Sequence, residues 1–392
     1  MVRPAGGSNM NGTLRSGSPG ANVLARERAV NRVIRMRRNP PRSSVTLADV
    51  AALAGVSTST ASLAYRSTGS ITPATRARIL RAAAEIGYAG PDPTARSLKS
   101  GRSGIVGVVV AGSIRGAFQN PVALATMAGL AEALDALDVG QLLLPGRREP
   151  RAGAAPLLEG MPVDAVVFLT RGEEVDALLP GLRARRIPIV GVEGPHGDGV
   201  VVVDIDDARG MGELARHVRA LGHRRVGVLM RTTRIEEVGP PGPVLPVGQG
   251  LEDIVNRTIR ERLRAARSVF PDAVRVEAGG RDLEAGEAAA GVLLDLPSPP
   301  TAILAQNDML AASALQAAAA RGIRVPEDLT VTGFDGADLP WLGRRLTTVE
   351  QPLHDRGVHA GRMVGELLAG RAAASVVLPV RLRVGETAAA PA

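Results

Sequence analysis

Beyond residue 104 the chain alternates short apolar runs with amphipathic stretches. The runs are IVGVVVA (105–111), QLLLP (141–145), DAVVFL (164–169), IPIVGV (187–192), RVGVLM (225–230), TAILA (301–305) and LTVTGF (329–334). Helical periodicity fills the intervals, for example at 121–137, 207–221, 284–295 and 308–321. Continuous apolar runs are the mark of strands buried on both faces, so the alternation predicts parallel sheets covered by helices. Seven or more strands over about 280 residues suit two doubly wound subdomains better than one sheet. One stretch interrupts the pattern: VGPPGPVLPVGQG (238–250) is rich in proline and glycine and is predicted to be a structureless surface insertion.

Upstream the texture differs. Residues 45–90 predict a compact all-helical unit. Thr46 and Asp49 form a T-x-x-D start, with Val50, Leu53 and Ala54 following at i, i+3 and i+4. Gly55 breaks this helix, Val56 packs inside the turn, and Ser57 caps a second helix that runs to about Tyr65. A third helix starts at Thr72 and Pro73, presents Ile79, Leu80, Ala83 and Ile86, and stops at Gly87. Gly90, Pro91 and Pro93 open a linker over 91–104. Residues 1–44 read as a disordered basic arm in which 25–42 could form a short helix, and 388–392 as a tail.

Composition narrows the function. At 392 residues the chain is long enough for two or three domains. A net charge of +8 points to a polyanionic partner, nucleic acid first, although Lys99 is the only lysine and an arginine bias explains part of it. There are no cysteines, which excludes disulfides and thiolate metal sites. The five histidines (His196, His217, His223, His354, His359) show no paired-ligand spacing, so no metal or other cofactor is expected. No apolar run reaches the ~18 residues of a membrane span and no signal-peptide pattern appears, which leads to the expectation of a cytoplasmic protein without a membrane partner.

Two helices joined through Ala54-Gly55-Val56 have the spacing of a helix-turn-helix. VTLADVAALAGVSTSTASLAYRSTGSITPATRARILRAAAEIGYAGPDPTARSLKSGRSGIVGVVV (45–110) resembles the head and hinge of lactose-repressor-type (LacI/GalR) transcription regulators. The resemblance continues in order through 201–229, 303–336 and 346–368, and covers roughly 45–387. It implies a helix-turn-helix head and hinge helix, then a two-lobed α/β effector domain of periplasmic-binding-protein type over 105–387. It also implies a homodimer on a near-palindromic double-stranded operator, and a small-molecule effector, a sugar or related metabolite, between the lobes. A dimer rather than a tetramer is expected, since no leucine-heptad tail follows Glu386.

Carried over by position, the reading helix begins at Ser57, and Thr58 and Ser59 take the places that address base edges. Thr46 and Ser62 join the DNA-binding set. Leu63 stands where the family has arginine, Arg66 where it has asparagine and Ala61 where it has valine. Arginine reads guanine bidentately, whereas leucine offers only apolar contact such as to a thymine methyl. In PTARSLKSG (93–101), Leu98 takes the place of a minor-groove wedge, and Arg96 and Lys99 flank it as phosphate contacts. A linker with no DNA role is the alternative.

In two-lobed α/β modules ligands bind at the carboxyl ends of the strands. There the resemblance places Phe118, Asn120, Arg262, Asn307, Asp308 and Asp335 as effector contacts, with Trp341 as a further candidate. Asn307-Asp308 could equally cap the helix that follows, Asp335 could hold the turn to Gly336, and Trp341 could pack a lobe or dimer face. Aromatic residues make up only 2% of the chain, so a stacked platform for a sugar is poorly supplied. An enzyme is the competing class, with Asp308, Asp335 and Glu193 as possible acids or bases. GxSxG, P-loop and GxGxxG motifs are all missing, so no catalytic residue is expected. A plain solute-binding protein of the same fold is the third class, and the head argues against it.

Overall fold

The computed structural model describes residues 45–65, 71–90, 97, 101–146, 157–169, 173–232 and 239–392. It divides into two compact units, one ending at Arg96 and one running from Ser97 to Ala392. No helix among the described residues is long and apolar enough to cross a membrane.

The first unit holds α1 (Leu47–Leu53), α2 (Thr58–Leu63) and α3 (Pro73–Glu85). Val50 and Ile79 supply the bulk of its core, and Ala51, Ala54, Ala61, Ala64, Ala82 and Ala83 fill the rest. Small side chains let three short helices approach closely. Two expected core positions are corrected: Leu53 is 48% and Leu80 43% exposed. In α1 the buried stripe is Val50, Ala51 and Ala54, rotated by about one residue from the i, i+3, i+4 reading, and in so short a helix periodicity cannot tell the two apart.

The second unit is two stacked α/β lobes. Lobe one contains β1 (Ile105–Val110), β2 (Gly140–Pro145), β3 (Ala165–Leu169), β4 (Ile189–Val192), β5 (Val200–Ile205) and, from far along the chain, β12 (Val376–Leu378). Their order is β12-β5-β4-β3-β1-β2, and every pairing is parallel. Its helices are α4 (Ile114–Gln119), α5 (Pro121–Asp135), α6 (Glu173–Asp176), α7 (Leu179–Ala184) and α12 (Leu353–Leu368). Lobe two contains β6 (Val226–Met230), β7 (Leu245–Pro246), β8 (Val274–Glu277), β9 (Ala302–Ala305), β10 (Thr330–Asp335), β11 (Thr347–Glu350) and β13 (Arg381–Arg383). Their order is β13-β11-β10-β9-β6-β8-β7, parallel except at the two edge pairs. Its helices are α8 (Asp207–Ala220), α9 (Arg257–Val269), α10 (Leu283–Leu294) and α11 (Asp308–Ala319). The chain therefore crosses between lobes three times: after β5, after β11 and between β12 and β13.

All seven expected strands are present, whereas β5, β7, β8, β11, β12 and β13 were not foreseen. β8 and β13 carry Arg275, Glu277, Arg381 and Arg383, so neither reads as an apolar run. The reading of 238–250 as structureless is corrected over its described part. Gly239 N–H donates to Gly279 O, Gly242 N–H to Glu277 O and Val247 N–H to Ala273 O, each at 2.8 Å, and Val247 is fully buried. Proline is tolerated there because β7 is an edge strand whose missing donor faces no neighbour. The segment past Thr387 is likewise packed. His223 Nε2 lies 2.8 Å from Ala389 O, and Thr387 is buried under β10 and β11. Burial lowers the pKa of His223, consistent with a structural imidazole between Thr301 and Thr330.

Candidate DNA-reading helix and effector crevice

The head positions α2 by local chemistry. Thr46 N–H donates to Asp49 Oδ2 at 2.8 Å while Asp49 N–H donates back to Thr46 Oγ1 at 3.3 Å, a reciprocal box that starts α1. The Thr46 N–H, and the Thr46 hydroxyl donating to the same Oδ2 at 2.8 Å, hold the exposed Asp49 carboxyl below its usual range. Gly55 takes φ +64°, a left-handed conformation that favours glycine, and so turns the chain into α2. Ser57 Oγ accepts from Thr60 N–H at 3.1 Å and also lies 3.3 Å from Ser59 Oγ. Buried Ala61 and Ala64 fix which face of α2 meets the core. The opposite face leaves Ser57, Thr58 and Ser59 exposed, with Ser62 and Leu63 half-buried beside them. Thr46 is exposed and committed to its cap. Arg66, Arg96, Leu98 and Lys99 lie outside the described residues.

In the second unit the polar residues that end the strands form one buried cluster. Asp335 closes β10, Gln306 follows β9, Glu193 follows β4 and Gln351 follows β11. Arg262, from the middle of α9, is 1% exposed. Its Nε donates to Asp207 Oδ1 at 2.7 Å, its Nη1 donates to Gln306 O and lies 3.7 Å from Asp335 Oδ1. The guanidinium stacks 3.6 Å over the Phe334 ring. Gln351 Nε2 donates to Asp335 Oδ1 at 2.7 Å, and its Oε1 accepts from Arg356 Nη1 at 2.7 Å. Arg356 also donates to Glu193 Oε1 at 2.6 Å and to Thr126 Oγ1 at 2.7 Å. Gln351 thus joins a lobe-two carboxylate to a lobe-one guanidinium across a crossover.

Of the other expected contacts, the cluster takes in neither Asn120 nor Asn307. Asn120 Oδ1 accepts from Val122 and Ala123 N–H and caps α5, and Asn307 Oδ1 accepts from Leu310 N–H at 2.7 Å and caps α11. Asp308 is fully buried inside lobe two, where Thr348 Oγ1 donates to it at 2.5 Å and Ala337 N–H at 2.7 Å. Phe118 is 55% exposed on α4, and Trp341 is 55% exposed on the turn Pro340–Leu342. Neither makes a ring contact among the described residues.

Burial pushes the Asp335 carboxyl up from 3.8 to about 7, against the pull of Arg262 and Arg231 and with Asp308 and Glu193 adding to the rise. Burial also opposes the charge on Arg262, but Asp207, Asp335 and Glu193 outweigh it and hold the proton. The folded chain therefore binds a proton at Asp335 that the unfolded chain has already released between pH ~4 and ~7. Stability from this group is full below pH ~4 and falls as pH rises through that window. Urea midpoints measured from pH 4 to 8 should show a falling component in the wild type that Asp335→Asn removes; an identical profile in the variant would contradict the assignment.

Sequence reasoning passed over Asp207, Gln306, Gln351 and Arg356. Arg356 did leave a signal: it sits on the face of α12 that carries Leu353, Gly357, Ala360, Gly361 and Val364. A charged residue in an apolar stripe is buried only with partners.

The chain matches two family models: bacterial regulatory proteins of the lacI family over residues 46–90, and the periplasmic binding protein-like domain over 215–388. An HTH-type transcriptional regulator of Mycobacterium tuberculosis is 37% identical over 366 residues, covering 90% of this chain and 99% of the relative. The solved complex of the transcriptional regulator CelR with cellobiose is 28% identical with a TM-score of 0.59, covering 88% of this chain and 99% of the other. The lac repressor dimer bound to operator shares the fold at 23% identity and a TM-score of 0.68, covering 88% and 99%. A capped, exposed helix after a glycine turn, and a two-lobed α/β unit with polar strand ends, are the parts of a DNA-binding regulator controlled by a small molecule. With relatives this similar over nearly its whole described length, the chain belongs to the LacI family of transcription regulators.

Proposed function

We propose that the protein is a homodimeric repressor that binds a near-palindromic operator. In this reading α2 lies in the major groove with Thr58, Ser59, Ser62 and Leu63 at base edges, while Leu98, Arg96 and Lys99 of the hinge segment supply the minor-groove and phosphate contacts. The observation that carries it is the exposure of Ser57, Thr58 and Ser59 opposite the buried Ala61 and Ala64. Hydroxyls bond bases and phosphates with little discrimination, so Leu63 and DNA shape carry much of the preference. The effector sits in the crevice at the strand ends, with Arg262 and Asp335 as its principal polar contacts; Phe118, Asn120, Asn307, Asp308 and Trp341 shape the surrounding loops.

The test is binding to the DNA upstream of the protein's own gene against random DNA at several salt concentrations. Log affinity falls linearly with log salt for both, and the upstream site binds at least ~10³-fold more tightly. Equal affinity for random DNA sinks the regulator reading. Leu63→Arg should introduce a guanine preference of about 1–3 kcal/mol at one position of each half-site. An unchanged base preference would show that this face of α2 does not read the operator.

A further inference from the structure

We propose that His196, Asp204 and Arg257 form a proton-sensitive latch between the lobes, closed while His196 is neutral and released when it is protonated. His196 lies on the loop between β4 and β5 and Asp204 on β5, both in lobe one, whereas Arg257 opens α9 in lobe two. Arg257 Nη1 donates to Asp204 Oδ2 at 3.0 Å and lies 3.0 Å from His196 Nε2. That same Nε2 lies 2.9 Å from Asp204 Oδ2. Three chargeable groups thus meet at one point, and of the three the arginine alone comes from lobe two. Beside them is a cavity of about 290 Å³, walled in part by Ile205 and Val377 of lobe one and by Arg257 and Glu261 of lobe two. On that side the ion pair is not backed by packed apolar side chains.

The proton decides what the imidazole can do. With Nε2 bare the ring accepts, and the Arg257 N–H binds ring and carboxylate of lobe one together. A proton added there makes the ring a cation that donates to Asp204 from within its own lobe. Arg257 then loses one acceptor, shares Asp204 with a competing donor and faces a like charge 3.0 Å away. All three changes weaken the tie to lobe two. The neighbouring charges do not cancel this. Glu193 on the same loop is bonded by Arg356, Asp206 after β5 accepts from Arg209 N–H, and Glu261 on α9 pairs with Arg264. Asp198 shares the loop, and Arg183 of α7 comes within 3.1 Å of where a Cβ on Gly197 would stand. Both belong to lobe one, so they move with His196 and do not distinguish open lobes from closed. Hinge closure is how two-lobed units respond to ligands, and the latch makes pH a second input to that motion.

The chain has no cysteine, so Ala184→Cys on α7 and Val255→Cys just before α9, both exposed, take spin labels at one chosen point on each lobe. Labelled full chain is diluted with excess unlabelled protein, so that dipolar spectroscopy reads distances within one chain. Between about pH 8 and about pH 5.5, the range in which histidine changes charge, the ratio of long to short distances should rise. The rise should be about two- to fivefold, the range open to one exposed ion pair, and should shrink in ~1 M salt. His196→Gln, neutral at every pH, should keep the short distance and lose the pH response. Arg257→Gln should show the larger share of long distances at both pH values. His196 and Arg257 are exposed, so both variants should still melt cooperatively. A response that survives in His196→Gln comes from another group, such as Asp335, and overturns the proposal. A short distance that persists in Arg257→Gln, or a labelled parent chain indifferent to pH, overturns it as well.

Discussion

Arg262→Met is expected to lower the stability of the two-lobed unit by about 3–5 kcal/mol, the usual cost of removing one partner from a buried ion pair. Methionine is close to arginine in length and packs on Phe334, so little of the loss comes from a cavity. The cost arises because Asp207 and Asp335 are left in the interior without the cation that Nε and Nη1 supply. Trp341 is the only tryptophan and belongs to lobe two, so its fluorescence in a urea titration reports on the lobe that carries Arg262. Adding Asp335→Asn to the Arg262→Met background should recover about 1 kcal/mol or more, since it removes one orphaned acid. A loss under about 1 kcal/mol for the single variant, with no recovery in the double, would mean that the cluster is not electrostatically coupled.

The second large effect is at Gly357. Gly357, Gly361 and Gly365 recur every four residues and so line one face of α12, which packs along α5. A Cβ at Gly357 would fall well inside contact distance of the Thr126 carbonyl oxygen and lie 2.6 Å from Leu130 N. Both are backbone atoms of a helix and cannot rotate away, so α5 would have to shift. Overpacking of this kind costs about 1–3 kcal/mol, occasionally more. Gly365→Ala provides the contrast. Its Cβ would meet Leu137 Cδ1 at 3.1 Å, the flexible end of a side chain, and alanine gains up to about 1 kcal/mol of helix propensity over glycine. Denaturation followed by circular dichroism should therefore move in opposite directions for the two variants. If Gly357→Ala tracks Gly365→Ala within about 0.5 kcal/mol, the two helices are not interlocked at Thr126.

The parts of the fold that were legible are those set by neighbours in sequence. Ser57, Thr46 and Thr72 cap their helices within three residues, and the central strands announce themselves as apolar runs. The edge strands were silent because half-exposed positions admit charges such as Arg275 and Arg381. Proline at 246 hid β7 for the same reason: an edge strand needs no donor on its outer side. At the candidate site, Arg262 and Asp335 were named from their positions in the family pattern, and they meet. Asn120 and Asn307 were named with them, yet each spends its Oδ1 on a helix N-terminus, the outcome that local capping alone would dictate. Asp308 is one residue further on, and the start of α11 turns it into the interior.

By itself the sequence determined the head, the glycine turn, the alternating α/β texture and the family, since each rests on residues within a few positions of one another. It also determined the unusual chemistry of α2, hydroxyls and Leu63 with no charge between Ser57 and Tyr65. Only the tertiary structure decided which polar residues share the buried cluster at the strand ends. Arg262 and Asp207 are 55 residues apart, and Arg356 and Glu193 are 163 apart. Those pairs form because three crossovers carry α8 and α12 past the strand ends and because Gly357 lets α12 sit tight on α5. A contact of that range depends on how whole lobes pack, and no local pattern encodes it.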